Sequence, residues 1–417
     1  MDARENALKA LNHETPDRVP VDFGSTATTG VHISCVAALR DYYGLEKRPV
    51  KVSEPYQMLG WIDDDLKDVM GIDTEGLYPH KTLFGFPNEN WREFRLPWGQ
   101  DVLVSEHFQT TVDANGDLLL YPEGDLSVRP SGRMPVSSAF FDTIIRQHPI
   151  VEDQLKAEDN LEEFADLSQE EALHLKAEVR RISHSNRLRV GTLGGTGFGD
   201  IALVPAPFLK DPKGIRDIAE WYISTLTRQD YVHAIFERQC EIALRNLERC
   251  WQIVGDAIDV LFVCGTDFGT QTSTFCSTET FDGLYAPYYR RVNDWVHRHT
   301  SWKTLKHSCG AVASFLPHFI DADFDIINPV QCSATGMDAQ GLKDAFGAQL
   351  AFWGGGVDTQ KTMPFGSPVE VRAEVLSRCE TLSSQGGFVF NTVHNIQMHT
   401  PTENIVAMVN AVREFKV

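Results

Sequence analysis

The sequence predicts an α/β protein, a (β/α)8 TIM barrel with an inserted β-hairpin subdomain. Three observations carry that prediction. Apolar, strand-like runs alternate with helix-like segments in the chain, and eight such runs can be read. Most are followed by glycine or a polar residue, as parallel strands covered on both faces require. Eight parallel strands close most economically as a barrel. The 417 residues are therefore read as one barrel domain over 1–417, with the β-rich insertion at 80–150.

Taken in order, residues 4–12 read as a short amphipathic helix stopped near Pro16, and Arg18 to Phe23 as the first buried strand, ended by Gly24. Helices near 34–43 and 62–70 follow, the second ending at Gly71. Asp63, Asp64, Asp65 and Asp68 sit at the start of that second helix. There carboxylates suit the positive end of the helix dipole, which explains them better than a cation site does. Asp73 to Tyr78 is a second, weaker strand. Between 80 and 150 the runs become short and β-like: Trp91 to Leu96, Val102 to Thr111 and Leu118 to Tyr121, with Asn115-Gly116 as a hairpin turn. Such a subdomain can cover the mouth of a barrel. After an acidic stretch at 151–172, the remaining strands are Arg189 to Leu193, Val260 to Cys264, Thr304 to Ser308, Asp325 to Pro329, Leu350 to Gly354 and Phe388 to Val393.

Composition narrows the function. A formal charge of -20 with no basic stripe argues against nucleic acid as a partner. No apolar run reaches membrane-spanning length, and the first residues lack the apolar core of a secretory signal, so no membrane role and a cytoplasmic location are expected. The eight cysteines, at 35, 240, 250, 264, 276, 309, 332 and 379, include no Cys-x-x-Cys and read as reduced thiols.

In barrels of this kind the catalytic groups sit at the C-terminal ends of strands. That rule collects Asp267, Gln271, His307, Cys309, Asn328, Gln331, Asp358 and His394. His307 and Cys309 are two apart, so on a strand both side chains point the same way and can hold one ion together. A thiolate with an imidazole favours zinc. The competing reading is a packed strand end, because buried free cysteine is common. Asp267 and Gln271 read either as a loop cap or as a hydrogen-bonding or acid/base group facing the site. Cys264 and Cys332 read as packing, with His399 as a reserve ligand. Gly197-Phe198-Gly199-Asp200-Ile201-Ala202 has the spacing of a dinucleotide loop but lies in mid-chain without an acidic residue closing a second strand about 20 residues on, so it reads as a loop at the barrel mouth.

From Asp17-Arg18-Val19-Pro20-Val21 through Lys306-His307-Ser308-Cys309-Gly310, Asn328-Pro329-Val330-Gln331 and Gly355-Gly356-Val357-Asp358-Thr359-Gln360 to Thr400-Pro401-Thr402-Glu403-Asn404-Ile405, the chain resembles the uroporphyrinogen decarboxylase superfamily. Within it, His-x-Cys-Gly resembles the zinc-dependent corrinoid methyltransferases. The resemblance implies a zinc ion on His307, Cys309 and a third ligand. That ligand is usually a cysteine in the branch and is His394 here. A Cys-His-His set leaves the ion one unit more positive than Cys-Cys-His, hence a stronger Lewis acid and a poorer thiolate activator. The resemblance also implies a corrinoid (methylcobalamin) as methyl carrier, free or on a corrinoid protein, a small methyl acceptor or donor such as a thiol, tetrahydrofolate or methoxy compound, and a homodimer. Asp267 would handle the proton, with Gln271 beside it, and Asn328, Gln331, Asp358, Gly197 and Gly199 would touch substrate or corrinoid. Two other readings fit the same barrel: a metal-free decarboxylase or lyase using Asp267 and His394, and a non-catalytic corrinoid- or porphyrinoid-binding protein. The loop Phe23 to His32 contains none of the arginines with which the decarboxylases pair carboxylates.

Overall fold

The computed structural model describes residues 2–417. Seven parallel strands form one curled sheet in which each pairs with the next in the chain: β1 (Thr74–Leu77), β2 (Leu188–Gly191), β3 (Val260–Cys264), β4 (Lys303–His307), β5 (Ile326–Asn328), β6 (Ala351–Trp353) and β7 (Phe388–Val389). The eighth position is filled by the segment expected as the first strand. Asp22 N donates to Phe390 O and Phe390 N to Pro20 O, each at 2.8 Å, while Asp73 N donates to Val21 O at 2.7 Å on the other side. The cylinder is thereby closed. Arg18 to Phe23 shortens to a single parallel bridge, Val21 with Phe390, and Pro20, lacking an N–H, cannot extend the ladder.

Side chains alternate along these strands, and the two resulting faces have different partners. Leu188, Val190, Val260, Leu305, Ile326, Ala351, Trp353 and Val389 fill the barrel interior, joined by Ala7 and Leu11 of the helix Ala3–Leu11. This helix plugs the end where the strands begin: Gly387 N donates to Ala10 O at 2.7 Å, and Arg4 pairs with Asp259 just before β3. The outward faces pack under the surrounding helices in a second, larger core.

The insertion is two small sheets. A meander runs through Thr110–Val112, Leu118–Leu120, Gly132–Met134 and Asp142–Thr143, its first hairpin turning at Asn115-Gly116. The other sheet orders Leu59–Gly60, Val50–Glu54, Asp101–Val104 and Arg92–Arg95, so it draws in Val50–Glu54 from before residue 80. Those five residues alternate apolar and polar and bury Val50 and Val52. The acidic run behaves as a helix start: Asp63 is the N-cap of Asp64–Met70, Arg40 binds Asp65, and Arg187 binds Asp64 and Asp68. All eight cysteines are free thiols. Among the described residues no helix is long and apolar enough to cross a membrane.

A candidate metal centre at the strand ends

β4 ends on His307, whose side chain points into the barrel mouth and is buried. Its Nδ1 lies 2.6 Å from Asn328 Oδ1 at the end of β5. The Asn328 amide nitrogen in turn donates to Trp353 O at 2.9 Å, which turns the amide oxygen toward the imidazole. With an acceptor opposite Nδ1, the proton belongs there and the Nε2 lone pair is left free, the arrangement that orients a metal-binding histidine. Nε2 is 3.5 Å from Cys309 Sγ. The His394 ring stands nearly edge-on to His307, with 5.7 Å between centroids.

One donor atom each of His307, Cys309 and His394 lies within 4.8 Å of the others. Around a tetrahedral zinc ion, ligand atoms stand roughly 3.4–3.8 Å apart, a spacing that His307 and Cys309 already have. Among the described residues the His394 ring nitrogens have no hydrogen-bond partner. The donor set thus fits a zinc ion: one soft sulfur, one imidazole locked in the right tautomer, and one imidazole uncommitted.

The loop that carries Cys309 is held by two side chains. Asp267 Oδ1, beyond β3, accepts from Cys309 N at 2.7 Å, and Gln331 Oε1, beyond β5, accepts from Gly310 N at 2.8 Å. Gln331 donates to Gln271 Oε1 at 2.9 Å, and Gln271 donates to Ser333 O at 2.6 Å. Gly310 has φ +91°, and a Cβ there would collide with the Gly269 backbone, so the chain can make this turn only with glycine. Lys306, buried on the outer side of β4, donates to Thr266 O at 2.6 Å and to His307 O, with its ammonium over the Phe268 ring.

The electrostatics are those of a desolvated site short of positive charge. Burial pulls both His307 and His394 down to about 4. Burial, together with the nearby Asp267, pushes the Cys309 thiol well above its ordinary range. Asp267 is itself raised by burial, against the lowering effects of the Cys309 N–H and of Lys306. A divalent cation held here would supply the charge that both acids lack.

Several expected site residues take different places. Asn328 and Gln331, expected at the substrate, have their polar groups committed to His307, Trp353, Gly310 and Gln271, so Asn328 orients His307 and Gln331 braces the loop that carries Cys309. Gln271 likewise braces Gln331. Asp358 caps its own turn, its Oδ1 accepting from Gln360 N at 2.6 Å and Lys361 N at 3.0 Å, and it is not part of the donor cluster. Gly197 and Gly199 line a small cavity with Asp200 and Trp221. Gly199 has φ +63° and packs against Phe236, Trp221 and Tyr285, and Phe198 O accepts from Thr266 Oγ1 at 2.6 Å. No helix opens at this loop, since the next one begins at Ile218, which removes the dinucleotide reading. Cys264, Cys332 and His399 lie outside the donor cluster. One nearby group escapes the strand-end rule: Asp200, inside the glycine motif, whose carboxylate lies against Gly265, two residues from Asp267.

Comparison with known proteins agrees with this architecture. The family model described as uroporphyrinogen decarboxylase (URO-D) matches residues 146–415. No curated protein matches the sequence. Among solved structures, a methyltransferase from Methanosarcina mazei superposes with a TM-score of 0.54 at 14% identity, covering 100% of this chain and 99% of that one. At that identity the likeness is one of fold. The matched span takes in β2 to β7, and with them every donor of the cluster: the chain belongs to the uroporphyrinogen decarboxylase family.

Proposed function

We propose that this protein is a zinc-dependent methyltransferase that moves a methyl group between a corrinoid and a small donor or acceptor. The observation that carries the proposal is the convergence of His307, Cys309 and His394 at one point of the barrel mouth, supported by the likeness of fold to the Methanosarcina mazei methyltransferase. The metal is essential to the reading, because family membership alone also accommodates a metal-free decarboxylase.

Zinc held by these three side chains would supply Lewis acidity to a heteroatom of the methyl donor or acceptor at an open coordination position. The chain's own groups do the rest. Asn328 keeps the His307 proton on Nδ1, so that Nε2 faces the metal position. Asp267 and Gln331 hold the Cys309 and Gly310 amides, which fixes the sulfur relative to both imidazoles. Asp267 also has a carboxylate oxygen 3.8 Å from His307 Nε2, which puts it at the edge of the cluster as the candidate to take or return a proton at the heteroatom. With two imidazoles and one thiolate, the set favours a hard oxygen partner over the thiol that a two-thiolate set activates.

Elemental analysis of the purified protein tests the proposal, followed by methylcobalamin demethylation with thiol, folate and hydroxy acceptors. One equivalent of zinc, lost in both His307→Ala and Cys309→Ala together with methyl transfer, is the expected result. Full activity in metal-free protein would overturn it and favour the decarboxylase.

A further inference from the structure

The three donors of the cluster are not held alike. His307 leans on Asn328 and the Cys309 amide on Asp267, whereas the His394 ring has no hydrogen-bond partner among the described residues. Its place is set by the chain on either side. Upstream, Val393 N donates to Val357 O at 3.1 Å, and the Thr392 hydroxyl donates to the His394 carbonyl. Downstream stands Asn395, a buried residue with both halves of its amide engaged. Its Oδ1 accepts from Gly30 N at 2.5 Å, and its Nδ2 donates to Ala27 O and to Gln57 Oε1, each at 2.8 Å. Facing one N–H and two oxygens, the amide fits in a single orientation.

These partners lead into the insertion. Ile396 N donates to Gly30 O at 3.0 Å and His32 N to Ile396 O at 2.9 Å, which pairs Val31 with Ile396 in a parallel bridge. On the other side Gly60 N donates to Val31 O at 2.9 Å and Ile33 N to Met58 O at 3.0 Å, which pairs His32 with Leu59. Leu59–Gly60 is the edge strand of the small sheet whose far strands, Asp101–Val104 and Arg92–Arg95, belong to the insertion. That sheet is thereby continued to within two residues of His394. Gln57 lies in the turn just before the edge strand, where the Glu54 carboxylate accepts from Tyr56 N and Gln57 N, each at 2.8 Å. A backbone link and a side-chain link thus run in parallel from the inserted sheet to the third donor.

Resting on the zinc reading of the cluster, we propose that Asn395 is a positioning residue for the third donor, His394, and that through Gln57 it makes the inserted sheet part of the scaffold of the metal centre. The Asn395 amide is committed to Gly30, Ala27 and Gln57, so it binds no ligand itself. It fixes the stretch of chain that carries an otherwise unbraced ring and keeps that ring aimed at His307 and Cys309. The insertion therefore has a task at the barrel mouth beyond covering it.

Zinc affinity of the full-length protein, read by chelator competition across a double-mutant cycle, tests the assignment. Asn395→Ala should weaken zinc binding about tenfold to a hundredfold, the usual effect of losing a group that orients a ligand. His394→Ala should cost at least as much, and the double variant should bind within about threefold of His394→Ala alone, because a residue that acts only through His394 then has nothing to position. Gln57→Leu should weaken zinc binding about threefold to tenfold, the worth of one buried hydrogen bond, and Gln57→Glu, which keeps the acceptor, should restore it. Thermal melting checks that the variants fold, and the Gln57 pair serves alone if Asn395→Ala does not. Wild-type affinity in Asn395→Ala, or losses that add in the double variant, would overturn the positioning role; wild-type affinity in Gln57→Leu would overturn the link to the insertion. The ring is also read without metal. In metal-stripped protein carrying isotope-labelled histidine, the His394 ring resonances, identified by their loss in His394→Gln, should be single in the wild type and broadened or doubled in Asn395→Ala. If the wild type takes up no zinc, that spectral change sinks the zinc reading alone, and zinc-loaded wild type with additive losses sinks the positioning role alone.

Discussion

Two histidines lie at opposite ends of the same pair of strands, and their surroundings drive them to opposite protonation states. At the end where β4 and β5 begin, His297 reaches from the helix Ala286–His299 to Asp323 at 2.8 Å and Asp325 at 2.9 Å. Asp325, then Asp323, raise it to about 9. At the end where the strands finish, His307 has a neutral amide beside it, and burial takes it down to about 4. Both are hydrogen-bonded and neither sits in open solvent; what differs is the charge of the partner. A carboxylate makes histidine a fixed cation that clips helix to sheet. An amide keeps it neutral, with a lone pair to offer. This is the division of labour of barrels, stability at one end and chemistry at the other, written in a single residue type.

The largest expected effect tests the chemical end. His307→Ala and Cys309→Ala should each cut zinc from about one equivalent to below about 0.1 in protein that still melts cooperatively, read by elemental analysis and calorimetry. Next comes the amide itself. Asn328→Ala frees the imidazole to take the wrong tautomer and should cost about 10–100-fold in zinc affinity, measured by chelator competition, whereas Asn328→Asp retains an acceptor and should recover part of it.

At the other end the effect is on folding. The folded-state value of His297 lies above the ordinary 6.5, so its contribution is complete below pH 6.5 and is lost as pH rises through about 9. Asp325 is held low, chiefly by His297, against the upward push of burial, and its share is lost in acid. His297→Gln should therefore cost about 1–2 kcal/mol near pH 6, after allowance for solvent screening, and almost nothing at pH 10, with zinc content unchanged throughout. Denaturant melts at the two pH values check this; an equal loss at both would break the contrast. The neutral pair His307 and His394 runs the other way. Both are depressed, so the unfolded chain takes protons first and the stability they confer falls as pH drops below 6.5. The smallest effect is set by Asp358, which only caps a turn. Asp358→Ala should cost less than about 1 kcal/mol and leave zinc and turnover as they were.

The strand count was legible because buried parallel strands leave continuous apolar runs, and Val260 to Cys264 matches its strand end for end. The first strand was placed correctly but not its brevity, which follows from Pro20. Val50–Glu54 passed unnoticed because five residues lie between two convincing helices and acquire meaning only through Asp101–Val104, about fifty residues on. At the site, the strand-end rule found height on the barrel but not direction. It gathered Asn328 and Gln331 with His307 and Cys309, yet whether a side chain faces the ligand or braces its neighbour depends on contacts with Trp353 O and Gly310 N that no spacing encodes. Asp200, nine residues past the end of β2, comes near the site only through its contact with Gly265, a property of the packed state.

The plug helix and the closing bridge also govern when this molecule can become itself. Ala7, Leu11 and Pro20 are made about 370 residues before their partners Val389 and Phe390. Nothing seals the cylinder until some 370 residues of chain have been made in between. Loop closure over such a span is slow, and the open sheet edge waits meanwhile. The candidate donors His307, Cys309 and His394, spread from β4 to just past β7, thus come together only after that span is made, so a metal ion held by them would be loaded late in folding.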